Sequence, residues 1–362
     1  MSRNGRVLVA MSGGVDSSVA AALLHEQGFE VVGITMKTWD YTSSGGSKKE
    51  TGCCNLDSLH DARALAVHFG FPHYILDLRE EFGESVIEHF VEEYLGGRTP
   101  NPCILCNTHI KWAALLRRAD KLGCDYIATG HYAQVRTEGE RAVVSRGRDR
   151  AKDQSYVLWG VAQECLGRTL FPVGGFEKSE IRHLCARIGF ERLAQKPDSY
   201  EICFIPDNDY RGFLSRRRPE ALARLDGGAF VTTDGRTVGR HRGYPFYTVG
   251  QRKGLVALGE PYYVTQVIPE TNTVVIGRVE DLYDRRLSVR QFNGVKVAAL
   301  ADESAAEVQI RSNGAAYPAL VRMLEGQRAE AIFAEPVKAI APGQAAVFYD
   351  GDDVLGGGWI EG

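Results

Sequence analysis

The chain has 362 residues, of which 44% are apolar and 25% charged, with a formal net charge of −3. These values exclude a largely disordered or collagen-like chain, and the near-neutral balance gives no whole-molecule footprint of a nucleic-acid binder. At roughly 150 residues per domain the chain should hold two or three domains, and it lacks both an apolar run of about 18 residues for a spanning helix and a signal-peptide stretch in Met1–Met11, so no membrane association and a cytoplasmic protein are expected.

In chain order, Arg6–Met11 reads as a strand, followed by a Gly-containing turn and a helix from Val15 to about Gln27, stopped by Gly28. Glu30–Met36 is the next strand, completing a βαβ unit. Leu56–Phe69 reads as a helix capped by Gly70, His73–Leu78 as a strand and Glu80–Leu95 as a helix. Thr108–Leu122 is a helix ending at Gly123, and Tyr126–Thr129 a strand; Gln154–Cys165 and Lys178–Ile188 add two helices. Such alternation predicts an α/β fold, a doubly wound parallel sheet with helices on both faces. After Pro206 the texture changes. Asp226-Gly227, Asp234-Gly235, Thr271-Asn272, Asn313-Gly314 and Asp350-Gly351 separate short β-prone runs, which predicts an all-β region of small barrels. We expect a catalytic domain over 1–207, a small central β-rich domain over 208–277 and a C-terminal β-barrel over 278–362.

Three stretches are locally basic. Residues 141–152 hold four arginines and Lys152 against Asp149, and 211–218 hold four arginines with no acid. Residues 236–253 hold Arg236, Arg240, Arg242, Arg252 and Lys253 with no acid, interleaved with Tyr244, Phe246 and Tyr247. Basic groups attract phosphate and aromatic faces stack bases; the alternative for each is a solvated surface with packed aromatics.

The strongest motif is Ser12-Gly13-Gly14-Val15-Asp16-Ser17-Ser18, between a strand and a helix. Two glycines let the backbone approach an anion, and N–H groups at the helix start hold phosphate. Asp16 repels bare phosphate but is useful if Mg²⁺ bridges carboxylate and phosphates. No lysine follows the glycines, so a kinase-like loop is ruled out and cleavage of ATP between its α and β phosphates is favoured. The string resembles that of the PP-loop ATP pyrophosphatases. That resemblance implies adenine contacts from Gly33–Met36, Met36 included, with Gly130 of Thr129-Gly130-His131-Tyr132 nearby.

The cysteines are residues 53, 54, 103, 106, 124, 165, 185 and 203. Without an export signal they should be reduced, so metal binding or catalysis is favoured over structural bridges. Cys103-Ile104-Leu105-Cys106 lies directly before a predicted helix, whose N-terminus would lower the thiol pKa of Cys106. Cys203 lies in an Asp-bearing loop, Asp198–Ile205, just before the domain change. The alternative for any cysteine is a small buried hydrophobe, and Cys53 and Cys54 are read as structural. A sulfur transfer needs two thiols, one carrying the terminal sulfur and one releasing it.

Across its length the chain resembles the tRNA-specific 2-thiouridylase family. The strings that carry the likeness are Ser12–Ser18, Gly52–Cys54, Thr99–Asn107, Thr129–Tyr132, Lys152–Tyr156, Asp198–Ile205 and Tyr247–Leu255. The resemblance implies adenylation of the C2 oxygen of a wobble uridine, with ATP and Mg²⁺ as cofactors. It implies Cys203 as persulfide carrier, loaded by a sulfur-relay protein or cysteine desulfurase. Cys106 would be the second catalytic thiol, ending in a disulfide with Cys203. Asn101, Pro102 and Cys103 would contact the target base. His131, Lys152, Asp153, Gln154, Arg311, Ser312 and Gln344 occupy the family's tRNA-contacting positions. Some members carry Asp where this chain has Cys103, and an aromatic where it has Ser312. A thiol at 103 opens an alternative, an iron–sulfur cluster on Cys103, Cys106 and Cys203. A further alternative is a PP-loop enzyme that amidates or ligates a small molecule.

Overall fold

In the computed structural model, which describes residues 4–40, 56–198 and 202–362, Val7, Leu8 and Val9 are each 0% exposed. Their strand, β1 (Arg6–Ala10), is therefore apolar on both faces, an environment found in the middle of a sheet covered on both sides. It pairs in parallel with β2 (Glu30–Lys37), which is followed along the sheet by β3 (His73–Asp77), and on its other edge with β4 (Tyr126–Ala128). Later in the chain come the antiparallel hairpin β5 (Ala133–Glu138) and β6 (Arg141–Arg146), and then β7 (Thr169–Leu170), which adds in parallel to β4. The parallel sheet has the order β3-β2-β1-β4-β7. The helices α1 (Val15–Glu26) and α2 (Leu56–Phe69) bring Leu24, Leu65 and Ala66 against Val7, Val9 and Met11. Val15, Val19 and Ala20 of α1 join Tyr132, Val173, Ile181 and Cys185 in a second core.

The chain divides into two compact units: Met1–Val86, Cys103–Asp209 and Asp352–Val354 in the first, Ile87–Pro102, Tyr210–Gly351 and Leu355–Gly362 in the second. Two sequence expectations over residues 102–166 are corrected. The helix expected at Thr108 begins at Pro102 and runs through Pro102–Leu105, a π-helical stretch Cys106–Lys111 and Trp112–Lys121. Proline is well suited to open a helix, because its missing N–H and fixed φ are harmless there. The helix expected over Gln154–Cys165 is instead a 3₁₀ turn, Ser155–Leu158, and a short helix, Gln163–Leu166. Asp153 bonds the Ser155 N–H and hydroxyl, and a Cβ on Gly160 would lie 2.4 Å from Thr108 Oγ1. Side-chain-to-backbone bonding and a tight glycine passage replace the helical ladder.

After Pro206 the second unit first forms the helices Tyr210–Arg217 and Pro219–Arg224, and its β-rich part begins at Gly228. The strands β8 (Gly228–Thr232), β9 (Thr237–His241), β10 (Tyr263–Ile268) and β11 (Thr273–Gly277) follow. They form one sheet in the order β10-β11-β8-β9, with β11 and β8 parallel. The last six strands are β12 (Tyr283–Gly294), β13 (Ser304–Gln309), β14 (Ala316–Leu324), β15 (Arg328–Lys338), β16 (Ala345–Asp350) and β17 (Asp353–Ile360). Their order is β12-β15-β14-β13-β16-β17, and β12 also pairs with β17, which closes a barrel. Val289, Val308, Val321, Phe333 and Phe348 pack into its core. Gly227, Gly235, Asn272 and Gly351 of the flagged turns take φ values of +82°, +86°, +49° and +59°, the left-handed geometry these residue types favour. Among the described residues no helix is long and apolar enough to cross a membrane.

Candidate active site

The strand–turn–helix at β1 and α1 builds the anion loop. Gly13 has φ +69°, and a Cβ there would lie 1.9 Å from the Ser58 carbonyl oxygen, so no other residue fits. Ser12 N–H donates to Ser17 Oγ (3.1 Å), and that hydroxyl reaches Gly14 O (3.2 Å). Ser17 thus braces the loop from within. Ser18 is 0% exposed, and its N–H donates to Gly14 O (3.2 Å). No side chain caps the start of α1 at Gly14, which leaves that helix end suited to an anion. Gly130 follows β4 and closes on the loop, where a Cβ would lie 2.6 Å from Ser17 N and 2.8 Å from Asp16 C. Met36 is half-buried near the C-terminal end of β2, in register with Leu76 of β3. Nucleotide candidates from three strands therefore sit at strand C-termini, where ligands of such sheets collect.

Asp16 has partners of its own. Lys178 Nζ lies 2.7 Å from Asp16 Oδ1 and 2.8 Å from Oδ2, and the Tyr132 hydroxyl donates to Oδ1 (2.7 Å). Asp16 therefore has a use besides the one expected with Mg²⁺, since the carboxylate holds a lysine and a tyrosine. Lys178 Nζ is also 3.0 Å from Asp198 Oδ1, and Asp198 binds Lys152 (2.8 Å) and Arg182 (2.7 Å). Burial on its own would raise the Asp198 carboxyl, but hydrogen bonds from Lys152 and Lys178 outweigh it and hold the group down to about 2. Lys196 Nζ reaches Gly13 O (2.9 Å), Ser58 Oγ (3.0 Å) and Asp61 Oδ2 (3.0 Å), which ties the loop to α2. Sequence reasoning missed both lysines. One signal was present for Lys178: it is the first residue of the helix Lys178–Arg187, where the dipole disfavours a cation.

The thiols are differently placed. Because the helix starts at Pro102, Cys103 lies in its first turn and Cys106 one turn further in, so the expectation of Cys106 at the helix N-terminus is corrected. Cys106 is buried and Cys103 reaches solvent; their i, i+3 spacing puts them on one side of the helix. Desolvation by crowding neighbours pushes the Cys103 thiol up, against a smaller pull from Lys111. Cys203 is half-buried, and its neighbour Phe204 is fully buried edge-on to Phe82 at 5.8 Å. Burial pushes up the thiols of Cys124, Cys165 and Cys185, the last to about 11, as suits packing residues. None of the six described cysteines is in a disulfide. Cys53 and Cys54 lie outside the described residues.

The tRNA candidates fall in both units. His131 Nδ1 bonds Thr129 Oγ1 (2.8 Å), and the ring packs against Trp112 (5.3 Å) and Phe171 (6.2 Å). Desolvation lowers its pKa to about 3, so it is neutral at pH 7. Lys152 belongs to the Asp198 cluster. Asp153 shapes its loop by accepting from Gly147 N, Ser155 N and Ser155 Oγ and pairing with Arg146. Gln154 Oε1 accepts from Tyr132 N (3.0 Å), supporting the tyrosine that bonds Asp16. In the second unit Arg311 donates to Ala339 O (2.8 Å), the exposed Ser312 accepts from Gln309 at its carbonyl (3.0 Å), and Gln344 donates to Thr99 O (2.9 Å). Asn101 is half-buried and Pro102 buried.

The first two basic stretches are partly neutralised. Arg146, Arg148, Arg150 and Lys152 face Asp153, Glu177 with Glu180, Asp352 and Asp198. Arg217 and Arg218 face Glu88, and Arg218 also Glu92. Tyr244 is buried with its hydroxyl on Leu95 O, and Tyr247 packs on Phe230 and His241. Tyr244 is a core residue and the half-buried Tyr247 packs against that core, which favours the packed-aromatic alternative for both.

Three family models match in series: a tRNA methyl transferase HUP domain over residues 5–207, a tRNA methyl transferase PRC-barrel domain over 211–278 and an aminomethyltransferase beta-barrel domain over 284–360. The tRNA-specific 2-thiouridylase MnmA of Cytophaga hutchinsonii is 59% identical over 100% of this chain and 98% of its own. Its counterpart in Amoebophilus asiaticus is 60% identical over 99% and 96%, and that of Salinibacter ruber 57% identical over 99% and 95%. With a phosphate-ready loop at one end of a parallel sheet and near-complete coverage at such identities, the chain belongs to the tRNA-specific 2-thiouridylase MnmA family.

Proposed function

We propose that the protein is an ATP-dependent tRNA 2-thiouridylase that replaces the C2 oxygen of a wobble uridine with sulfur. The observation that carries this reading is the braced glycine loop, closed by Gly130, in a chain up to 60% identical along its length to proteins bearing that name.

Oxide is a poor leaving group and AMP a good one, which is why thiolation calls for ATP. Ser12, Gly13, Gly14, Val15, Asp16, Ser17 and Ser18 hold the phosphates, with Met36 and Gly130 toward the adenine. The uridine C2 oxygen attacks the α-phosphorus, and the bond to pyrophosphate breaks with its electron pair on the leaving group. Asn101, Pro102 and Cys103 contact the base, which must leave its stack to be reached. His131, Lys152, Asp153, Gln154, Arg311, Ser312 and Gln344 contact or shape the contact with tRNA. Asp153 acts through its loop and His131 as a neutral hydrogen-bond partner.

Cys203 carries a persulfide delivered by a sulfur-relay protein or cysteine desulfurase. The Cys106 thiolate attacks Cys203 Sγ, a disulfide forms, and the terminal sulfur departs as hydrosulfide with the bonding pair. Hydrosulfide attacks C2, and the C2–O bond breaks to release AMP. A thiol reductant then returns both cysteines to thiols.

Both oxygens of Asp16 are held by Lys178, with Tyr132 on one of them, and Asp198 is held by three cations. These residues present no uncommitted carboxylate to Mg²⁺, and no step is routed through that ion. An iron–sulfur cluster on Cys103, Cys106 and Cys203 needs three converging thiolates. Among the described residues no group of three His, Cys, Asp or Glu is arranged to hold a metal, and no step is routed through a cluster.

The test is mass spectrometry of nucleosides from unmodified tRNA incubated with protein, ATP and a persulfide donor. Wild type should yield 2-thiouridine. Cys203→Ser should yield none while binding tRNA with unchanged affinity. Persisting 2-thiouridine in that variant overturns the persulfide assignment.

A further inference from the structure

We propose that Lys178 is the cation that grips the phosphates of the bound nucleotide, supplied to a loop that carries no lysine of its own. This rests on the adenylating reading of that loop. Lys178 Nζ sits 2.7 and 2.8 Å from the two Asp16 oxygens, within α1's first turn, where the phosphates are expected. The lysine is 9% exposed, and its stem is fixed from both ends. Its backbone N–H donates to Asp149 Oδ2 (3.0 Å), its helix starts with a capping box of Glu177 and Glu180, and its ammonium lies 5.7 Å from the centre of the Tyr132 ring.

Three cations converge beside the loop: Lys152, Lys178 and Arg182 meet at Asp16 and Asp198, with the Asp149 carboxylate at the Lys178 N–H. A lysine at a helix N-terminus also opposes the dipole, an unfavourable placement that a phosphate partner explains and a surface role does not. When a triphosphate enters, its oxygens take over one of the ammonium's contacts, and Asp16 keeps the Tyr132 hydroxyl. As the bond to the leaving pyrophosphate breaks, charge builds on its oxygens. A fixed cation stabilises that charge more than the ground state, so it acts on turnover more than on ATP affinity.

The experiment compares wild type, Lys178→Met, Lys178→Arg, Asp16→Asn and the neutral pair Asp16→Asn/Lys178→Met. ATP affinity is read by equilibrium dialysis, tRNA-dependent pyrophosphate release in single turnovers, and folding by thermal unfolding. We expect Lys178→Met to slow release by about 10²–10³-fold with less than about tenfold loss of ATP affinity, and Lys178→Arg to recover part of it. The neutral pair should be at least about tenfold slower than Asp16→Asn alone. If Lys178 only neutralised Asp16, the pair would match Asp16→Asn, and that result overturns the proposal, as does wild-type release by Lys178→Met. Should Lys178→Met fail to fold, the neutral pair decides by the same comparison. Should the pair also fail to fold, Lys178→Arg decides: slowed release at unchanged thermal midpoint supports the proposal, and wild-type release overturns it. Absence of tRNA-dependent pyrophosphate release from wild type points instead to failure of the functional reading.

Discussion

Replacing Gly130 by alanine tests whether close approach of the β4 turn sets the phosphate loop. The added Cβ would lie 2.6 Å from Ser17 N, 2.8 Å from Asp16 C and 2.9 Å from Ser17 Cα. All three are backbone atoms, so no side chain can swing aside, and the two segments must part by about 1 Å to restore normal contact. Gly130 is not among the glycines with positive φ, so alanine meets no backbone penalty and the effect is purely one of approach. Overpacking of this kind costs about 1–3 kcal/mol of stability, which leaves most of the protein folded. The loss in chemistry should be larger in proportion, since misplacing reacting groups by about 1 Å lowers rates by about 10²-fold. The assay is tRNA-dependent pyrophosphate release beside thermal unfolding. A Gly130→Ala protein with a lowered thermal midpoint but unchanged kcat/KM would refute the view that this contact positions the loop.

Two titration predictions follow from the same unit. Asp198 titrates at about 2 in the folded protein against an ordinary 3.8, so its stabilisation is full above about pH 4 and fades as pH falls toward 2. Urea unfolding should show a constant stability gap between wild type and Asp198→Asn from pH 7 to about 4, narrowing below that; a gap that widens on acidification contradicts the sign. His131, with its pKa lowered to about 3, should show no titration of its ring resonances between about pH 5 and 8, and a midpoint near 6.5 would show that Trp112 and Phe171 do not desolvate it.

The elements that sequence patterning located are those whose stop signals are local. Residues 15–26 and 56–69 are helices ended near Gly28 and Gly70, and β1 to β4 follow apolar runs. Strand β6 lies hidden in the basic stretch 141–152 because Arg141 and Arg146 bracket its buried Ala142, Val143 and Val144. The candidate loop was legible because its chemistry lies in one continuous string. Its cations were not: Lys178 meets Asp16 from 162 residues away and Lys196 meets Gly13 from 183, and no local pattern encodes such a meeting. The apparent basic patch at 141–152 failed for the same reason in reverse. Arg150 is matched by Asp352 and Lys152 by Asp198, partners that only the fold brings near.

That neutralisation decides which cations can drive tRNA binding. Affinity for a polyanion grows as free cations displace its condensed counterions, and an arginine already held by a carboxylate contributes little to that release. Arg242, Arg252 and Lys253 are exposed and form no ion pair among the described residues, unlike Arg150, which lies 2.5 Å from Asp352. Removing Arg252 and Lys253 together should weaken tRNA binding and lower the slope of log K against log salt by about one for each charge lost. Arg150→Ala should leave the slope nearly unchanged, because the charge it takes away was already offset. Binding isotherms from low to moderate salt measure both quantities. An equal slope change for Arg150→Ala and for either of the unpaired positions would mean that ion pairing on the free protein does not predict the electrostatic footprint on tRNA.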